Sequence, residues 1–99
     1  MARLKTHPDE ILKEEFMLPH GLSANRLGAM LGLPHNRISD LVRGRRCMSA
    51  DTALRLAKCL GTTPEFWMNL QSAHDLSRAS TESGSDINRQ VEPIRGVTA

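Results

Sequence analysis

Between residues 18 and 61 the chain is interrupted four times by glycine, alone or with proline: Leu18-Pro19-His20-Gly21-Leu22, Gly32-Leu33-Pro34, Gly44 and Gly61. The stretches between carry apolar residues at helical spacing, and no alternating run longer than a few residues offers a strand. Short helices that turn back at each break can bury their apolar stripes only against one another. The expected fold is therefore all-α, five short helices around one core.

The helix ends can be placed from their signals. Pro8 suits a first helical position, the acids after it complement the N-terminus, and Ile11, Leu12 and Phe16 share a face, so helix one is expected over about residues 8–17. Ser23 is the N-cap of helix two, residues 24–31, with Leu27, Met30 and Leu31 on one side and Gly32 as its stop. Helix three is expected over about 34–43 with Ile38, Leu41 and Val42 inward, closed by Gly44. After a loop at 45–48, Ser49 caps helix four, which presents Ala53, Leu54, Ala57 and Leu60 to the core and ends at Gly61. Thr63-Pro64 opens helix five, with Phe66, Trp67, Leu70 and Ala73 on one stripe.

From Ser77 the composition changes. Ser-Arg-Ala-Ser-Thr-Glu-Ser-Gly-Ser is almost devoid of apolar residues and reads as a flexible linker, dividing a helical domain at 1–76 from a tail or dimerisation arm at 77–99. Ile87, Val91 and Ile94 fit either a short amphipathic turn or an extended arm, in both cases needing this domain or a second copy to dock on.

Several function classes are excluded by what the chain lacks. No apolar run approaches the roughly 20 residues a bilayer requires, and residues 1–9 are basic and polar without the core of a signal peptide, so the expected location is cytoplasmic, with no membrane partner. Cys47 and Cys59 fall outside any CxxC or zinc spacing, and His7, His20, His35 and His74 form no HExxH or i, i+4 pair; neither disulfide, metal nor cofactor is expected. There is no GxxxxGK and no GxSxG, so an enzyme is not expected.

Charge is segregated along the chain. Asp9, Glu10, Glu14 and Glu15 face the single base Lys13, whereas Arg37, Arg43, Arg45 and Arg46 face the single acid Asp40. The basic segment coincides with the second of two helices joined by a tight glycine-containing turn, residues 23–43, the layout of a helix-turn-helix unit. At about 100° per residue, with Ile38 inward, Asn36, Asp40 and Arg43 lie nearly opposite and Arg37 and Ser39 flank them. An α-helix fits the DNA major groove, where Asn pairs with adenine, Arg with guanine and Ser with several bases. A solvated polar helix in a small bundle gives the same pattern.

The order of longer blocks is more specific. His7-Pro8-Asp9-Glu10-Ile11-Leu12-Lys13-Glu14-Glu15-Phe16 is followed by Pro34-His35-Asn36-Arg37-Ile38-Ser39-Asp40-Leu41-Val42-Arg43-Gly44-Arg45-Arg46. Then come Ser49-Ala50-Asp51-Thr52-Ala53-Leu54-Arg55-Leu56-Ala57 and Thr63-Pro64-Glu65-Phe66-Trp67-Met68-Asn69-Leu70-Gln71. Over about two thirds of the chain these blocks resemble the lambda-repressor-like helix-turn-helix proteins and, among them, the HigA/VapI antitoxins of toxin–antitoxin modules.

That resemblance implies a small antitoxin that neutralises a HigB-type toxin, a messenger RNA endoribonuclease, and represses its own operon. It implies a homodimer on double-stranded operator DNA, an inverted repeat with half-sites roughly 34 Å apart. Base reading is expected from His35, Asn36, Arg37, Ser39, Asp40 and Arg43, with Asn36 first among them. Phosphate contact is expected from Ser23, Asn25, Arg45 and Arg46. Asp40 either accepts from cytosine or holds Arg37 or Arg43 in place. Two other functions share the sequence features: a stand-alone repressor of phage or plasmid type, and a helical adaptor that binds only protein.

Overall fold

Capping chemistry sets the helix boundaries. The computed structural model describes residues 7–94; the first six residues, part of the segment read as lacking a signal peptide, and the end of the expected arm, 95–99, lie outside it. Helix α1 (Pro8–Ile11) runs directly into a π-helical stretch (Leu12–Met17). Then follow α2 (Ala24–Leu31), α3 (Arg37–Val42), α4 (Ala50–Leu60) and α5 (Pro64–Gln90). The side-chain oxygens of Ser23, Ser49 and Thr63 accept from the N–H groups of Arg26, Thr52 and Phe66, satisfying donors that a helix start leaves unpaired. At the other end, α2 and α4 close on Gly32 (φ 69°) and Gly61 (φ 74°), left-handed positions that carry no penalty without a Cβ.

The core is small and shared by all the helices. Leu12, Leu27, Ile38, Leu41, Met48, Ala53, Leu56 and Trp67 are buried together. Trp67 lies at the centre of an aromatic group, 5.4 Å from the Phe16 ring and 4.9 Å from the Phe66 ring. Its indole N–H donates to Thr62 Oγ1 at 2.7 Å, so the polar end of the ring is satisfied inside the fold.

Several expectations are corrected. Residues 12–17 are π-helical rather than α-helical: Leu18 N–H reaches back to Lys13 O at 2.9 Å, a five-residue step that turns both Leu12 and Met17 into the core. Helix α3 starts at Arg37, not Pro34, because residues 34–36 form a turn closed by Arg37 N–H on Pro34 O. Met30 and Leu54, expected inward, are more than half exposed, since α2 packs through Leu27, Gly28 and Leu31 and α4 through Thr52, Ala53, Leu56 and Ala57. Phe66 is partly exposed beside Trp67, and Ala73 is exposed.

The break in secondary structure expected at Ser77 is absent, as α5 continues without interruption to Gln90. Arg78 pairs with Glu82 one turn away at 3.3 Å, a contact that supports the helix locally, and Thr81 Oγ1 donates to Ser77 O at 2.9 Å. From Arg78 to Ile94 every residue except Gly84 is exposed, so this part of the helix lies outside the core. Poverty in apolar residues removes a segment from the core, but it does not by itself prevent a helix.

Candidate nucleic-acid interface

The unit that carries the candidate residues is α2, the turn at 32–36 and α3. The two helices pack against each other through buried Gly28 and Ile38: a Cβ on Gly28 would sit 3.7 Å from Ile38 Cγ1, an ordinary contact distance. Ile38 and Leu41, each 1% exposed, root α3 in the core, and the opposite side of the helix is left outward. The turn is fixed from a third direction by Arg55 of α4, whose Nη1 donates to Leu31 O at 2.8 Å while its Nε donates to Asp51 at 2.9 Å. One guanidinium thus satisfies a carbonyl at the end of α2 and ties the turn to α4. Arg55 was not among the expected site residues; only the Asp51/Arg55 spacing hints at it in the sequence.

The outward side of α3 gathers most of the expected base-reading residues. His35 and Asn36 are exposed just before the helix, Arg43 is exposed at its end, and Arg37, Ser39 and Asp40 are half-buried along it. Asn36 occupies the N-cap position yet makes no side-chain cap bond, so its amide keeps both its donors and its acceptor for another partner. Ser39 Oγ donates to Asn36 O at 3.1 Å and retains its capacity to accept. The cation that Asp40 meets is Arg45, 3.9 Å away, rather than the expected Arg37 or Arg43; Arg45 N–H also donates to Asp40 O at 2.8 Å. Asp40 therefore holds the loop that follows α3, because the chain turns back across the end of the helix there.

That turn passes close to α1: a Cβ on Gly44 would lie 3.6 Å from Asp9 Oδ2. Arg45 and Arg46 are exposed in the loop beyond it, and Met48 then enters the core. The Met48 N–H donates to Gln71 Oε1 of α5 at 2.7 Å, a contact between residues 23 positions apart that local sequence patterns do not reveal. At the start of α2, Ser23 accepts from Arg26 N–H, and the N–H groups of Ala24 and Asn25 have no acceptor within the helix. Exposed Asn25 stands beside them. Hydrogen-bonding groups on a helix flanked by cations and by free N–H groups suit a groove edged by phosphates. Among the described residues no three His, Cys, Asp or Glu side chains gather in a metal-binding group.

The helix-turn-helix family model matches residues 12–67, more than half of the chain. Virulence-associated protein I of Dichelobacter nodosus is 44% identical over 79 residues, which are 80% of this chain and 73% of that protein. Antitoxin HigA-1 of Vibrio cholerae is 40% identical over 79 residues, 77% of this chain and 74% of its own length. The solved structure of the Pseudomonas aeruginosa antitoxin HigA with the higBA promoter has a TM-score of 0.87 and 38% identity, covering 91% of this chain and 98% of that one. Together with the anchored α3 and its outward polar face, these likenesses place this chain in the helix-turn-helix family, among the HigA/VapI antitoxins.

Proposed function

We propose that this protein is an antitoxin that represses its own operon by sequence-specific DNA binding and neutralises a HigB-type messenger RNA endoribonuclease. The observation that carries the DNA-binding part is the rooted helix α3: its apolar side is sealed by Ile38 and Leu41, and Asn36 and Arg43 remain outward and uncommitted. In this reading His35, Asn36, Arg37, Ser39 and Arg43 face base edges, with Asn36 pairing with adenine. Asp40 orients Arg45, and Arg45, Arg46, Asn25 and the start of α2 at Ser23 hold phosphates. The Pseudomonas aeruginosa antitoxin HigA, of the same fold, has been solved with the higBA promoter, which supports DNA binding by this chain.

The homodimer is supported by α5 and the residues that follow it. Leu76, Ile87, Val91 and Ile94 are between 50% and 77% exposed, and residues 77–99 serve in this reading as the dimer arm. A second copy burying that stripe sets two α3 helices on an inverted repeat, as two-fold symmetry requires. For the toxin, the exposed acids Glu10, Glu14 and Glu15 offer a surface complementary to a basic RNA-binding protein. No catalysis, metal or cofactor enters this function. A repressor of its own operon works where the DNA is, and on that ground we assign the protein to the cytoplasm; among the described residues no helix is long and apolar enough to cross a membrane.

The test is co-expression with the adjacent reading frame, followed by co-purification and footprinting of the upstream DNA. The expected result is a complex of the two proteins and a symmetric footprint. A chain that leaves its upstream DNA unprotected at low salt refutes repression, and one that never co-purifies with the neighbouring product refutes the antitoxin role. Reversing the charge of Glu10, Glu14 and Glu15 together weakens the complex; unchanged binding removes the acidic surface from the proposal.

A further inference from the structure

We infer that Gln71, a residue of α5 away from the outward face of α3, is a positioning residue that holds the arginine-bearing loop ready for phosphate contact. This rests on the reading above, in which Arg45 and Arg46 bind phosphates. The loop is fixed at both ends. At its start Arg45 N–H donates to Asp40 O at 2.8 Å. At its end Met48 is 3% exposed and its N–H donates to Gln71 Oε1 at 2.7 Å.

Gln71 is itself only 5% exposed, so water cannot readily replace it as the acceptor. Its orientation is set by its two partners. The Met48 N–H can only donate, so it takes the amide oxygen, and Gln71 Nε2, itself only a donor, is left to donate at 3.0 Å to Asp75 Oδ1. The helix that carries this amide is anchored one turn earlier by fully buried Trp67. Cys47 also faces Asp75, Arg78 and Glu82 across a shallow cleft, so the loop lies alongside α5. Arg45, Arg46 and Cys47 therefore form a short exposed span between fixed ends, and its conformational entropy is lost on folding rather than on DNA binding.

Three variants of the full chain test this. Gln71→Met keeps the volume and removes the acceptor. Asp75→Ala keeps the acceptor but frees the amide to rotate. The double variant Gln71→Glu with Asp75→Asn exchanges amide and carboxylate, leaving an oxygen for Met48 and a donor between residues 71 and 75. Two quantities are read: hydrogen exchange at the Met48 amide in the free protein, and operator affinity per folded molecule with its salt dependence.

Gln71→Met is expected to exchange Met48 at least roughly tenfold faster and to bind operator roughly fivefold to tenfold more weakly, with base preference unchanged. Asp75→Ala falls between, and the double variant recovers to within about twofold of the original affinity. A merely structural contact lowers the melting temperature without changing affinity per folded molecule. Gln71→Met that exchanges Met48 freely yet binds operator as tightly as the unaltered chain overturns the inference and leaves the DNA-binding reading intact. If Gln71→Met does not fold, exposed Asp75 decides by the same two measurements. An unaltered chain without salt-dependent operator binding instead overturns the DNA reading, and the role of Gln71 falls with it.

Discussion

Asn36 and the two loop arginines differ in what they can discriminate. The Asn36 amide stands at the start of α3 with no cap bond, and an amide that meets a base edge has donor and acceptor in fixed order. Arg45 and Arg46, in the role proposed for them, meet phosphates, which are the same at every base pair. Asn36→Ala is accordingly expected to reduce the preference for operator over a site changed at one base pair by about 1–3 kcal/mol, with the salt slope unaltered. Arg45→Ala and Arg46→Ala should each flatten the slope of log affinity against log salt by about one and leave base preference alone. Competition gel shifts at several salt concentrations separate the two outcomes; equal effects on both quantities from all three variants contradict the assignment. The exposure of Asn36 and Arg43 was legible from helical spacing around Ile38. The pairing of Asp40 with Arg45 was not, because it depends on the chain reversing after Gly44.

Helix α4 shows why element faces were read only in part. Ala53, Ala57 and Leu60 fit an inward stripe that either Leu54 or Leu56 can extend, and the sequence offers no means of choosing between them. The position of α4 against its neighbours selects Leu56, fully buried, and leaves Leu54 60% exposed. Helix α5 poses the opposite problem, since its second half is helical with only Ala79 and Ile87 as apolar residues to announce it. Gly84 is its weakest point in helix propensity, and a Cβ there would meet only Ser80 Oγ at 3.5 Å, an ordinary contact. Gly84→Ala should stabilise the end of α5 by up to about 1 kcal/mol. The expected signal is more helix by far-UV circular dichroism and slower amide exchange beyond residue 84. A global melting temperature that stays nearly constant fits a segment lying outside the core, and unchanged exchange contradicts the assigned helical gain.

At the scale of the whole molecule, the shape follows from one element outrunning the rest. The principal extents are 53 × 26 × 22 Å, and α5 alone, with 27 residues, accounts for about 40 Å. The core ends well before the helix does: Gln71 is the last buried residue, and Leu76, Ile87 and Val91 stand exposed beyond it. Removing residues 78–99 is therefore expected to leave bundle stability within roughly 0.5 kcal/mol when both chains are compared at a protomer concentration too low for dimers to form. The same truncation should halve the mass in sedimentation and weaken operator binding by removing the two-site arrangement. A truncated chain that stays dimeric places the interface elsewhere, and one that unfolds shows that the arm supports the bundle.

The sequence by itself determined both ends of α2 and α4, the start of α5 and which side of α3 is apolar, since capping hydroxyls, glycine stops and residue spacing act over a few positions. It also carried the family resemblance in ordered blocks from His7 to Gln71. Only the tertiary structure decided that residues 12–17 wind as a π-helix, that Arg55 ties the turn between α2 and α3 to α4, and that Gln71 receives the Met48 N–H. The last two bonds join residues 24 and 23 positions apart. Such contacts are made by polar groups whose need for partners arises only when packing removes water from them.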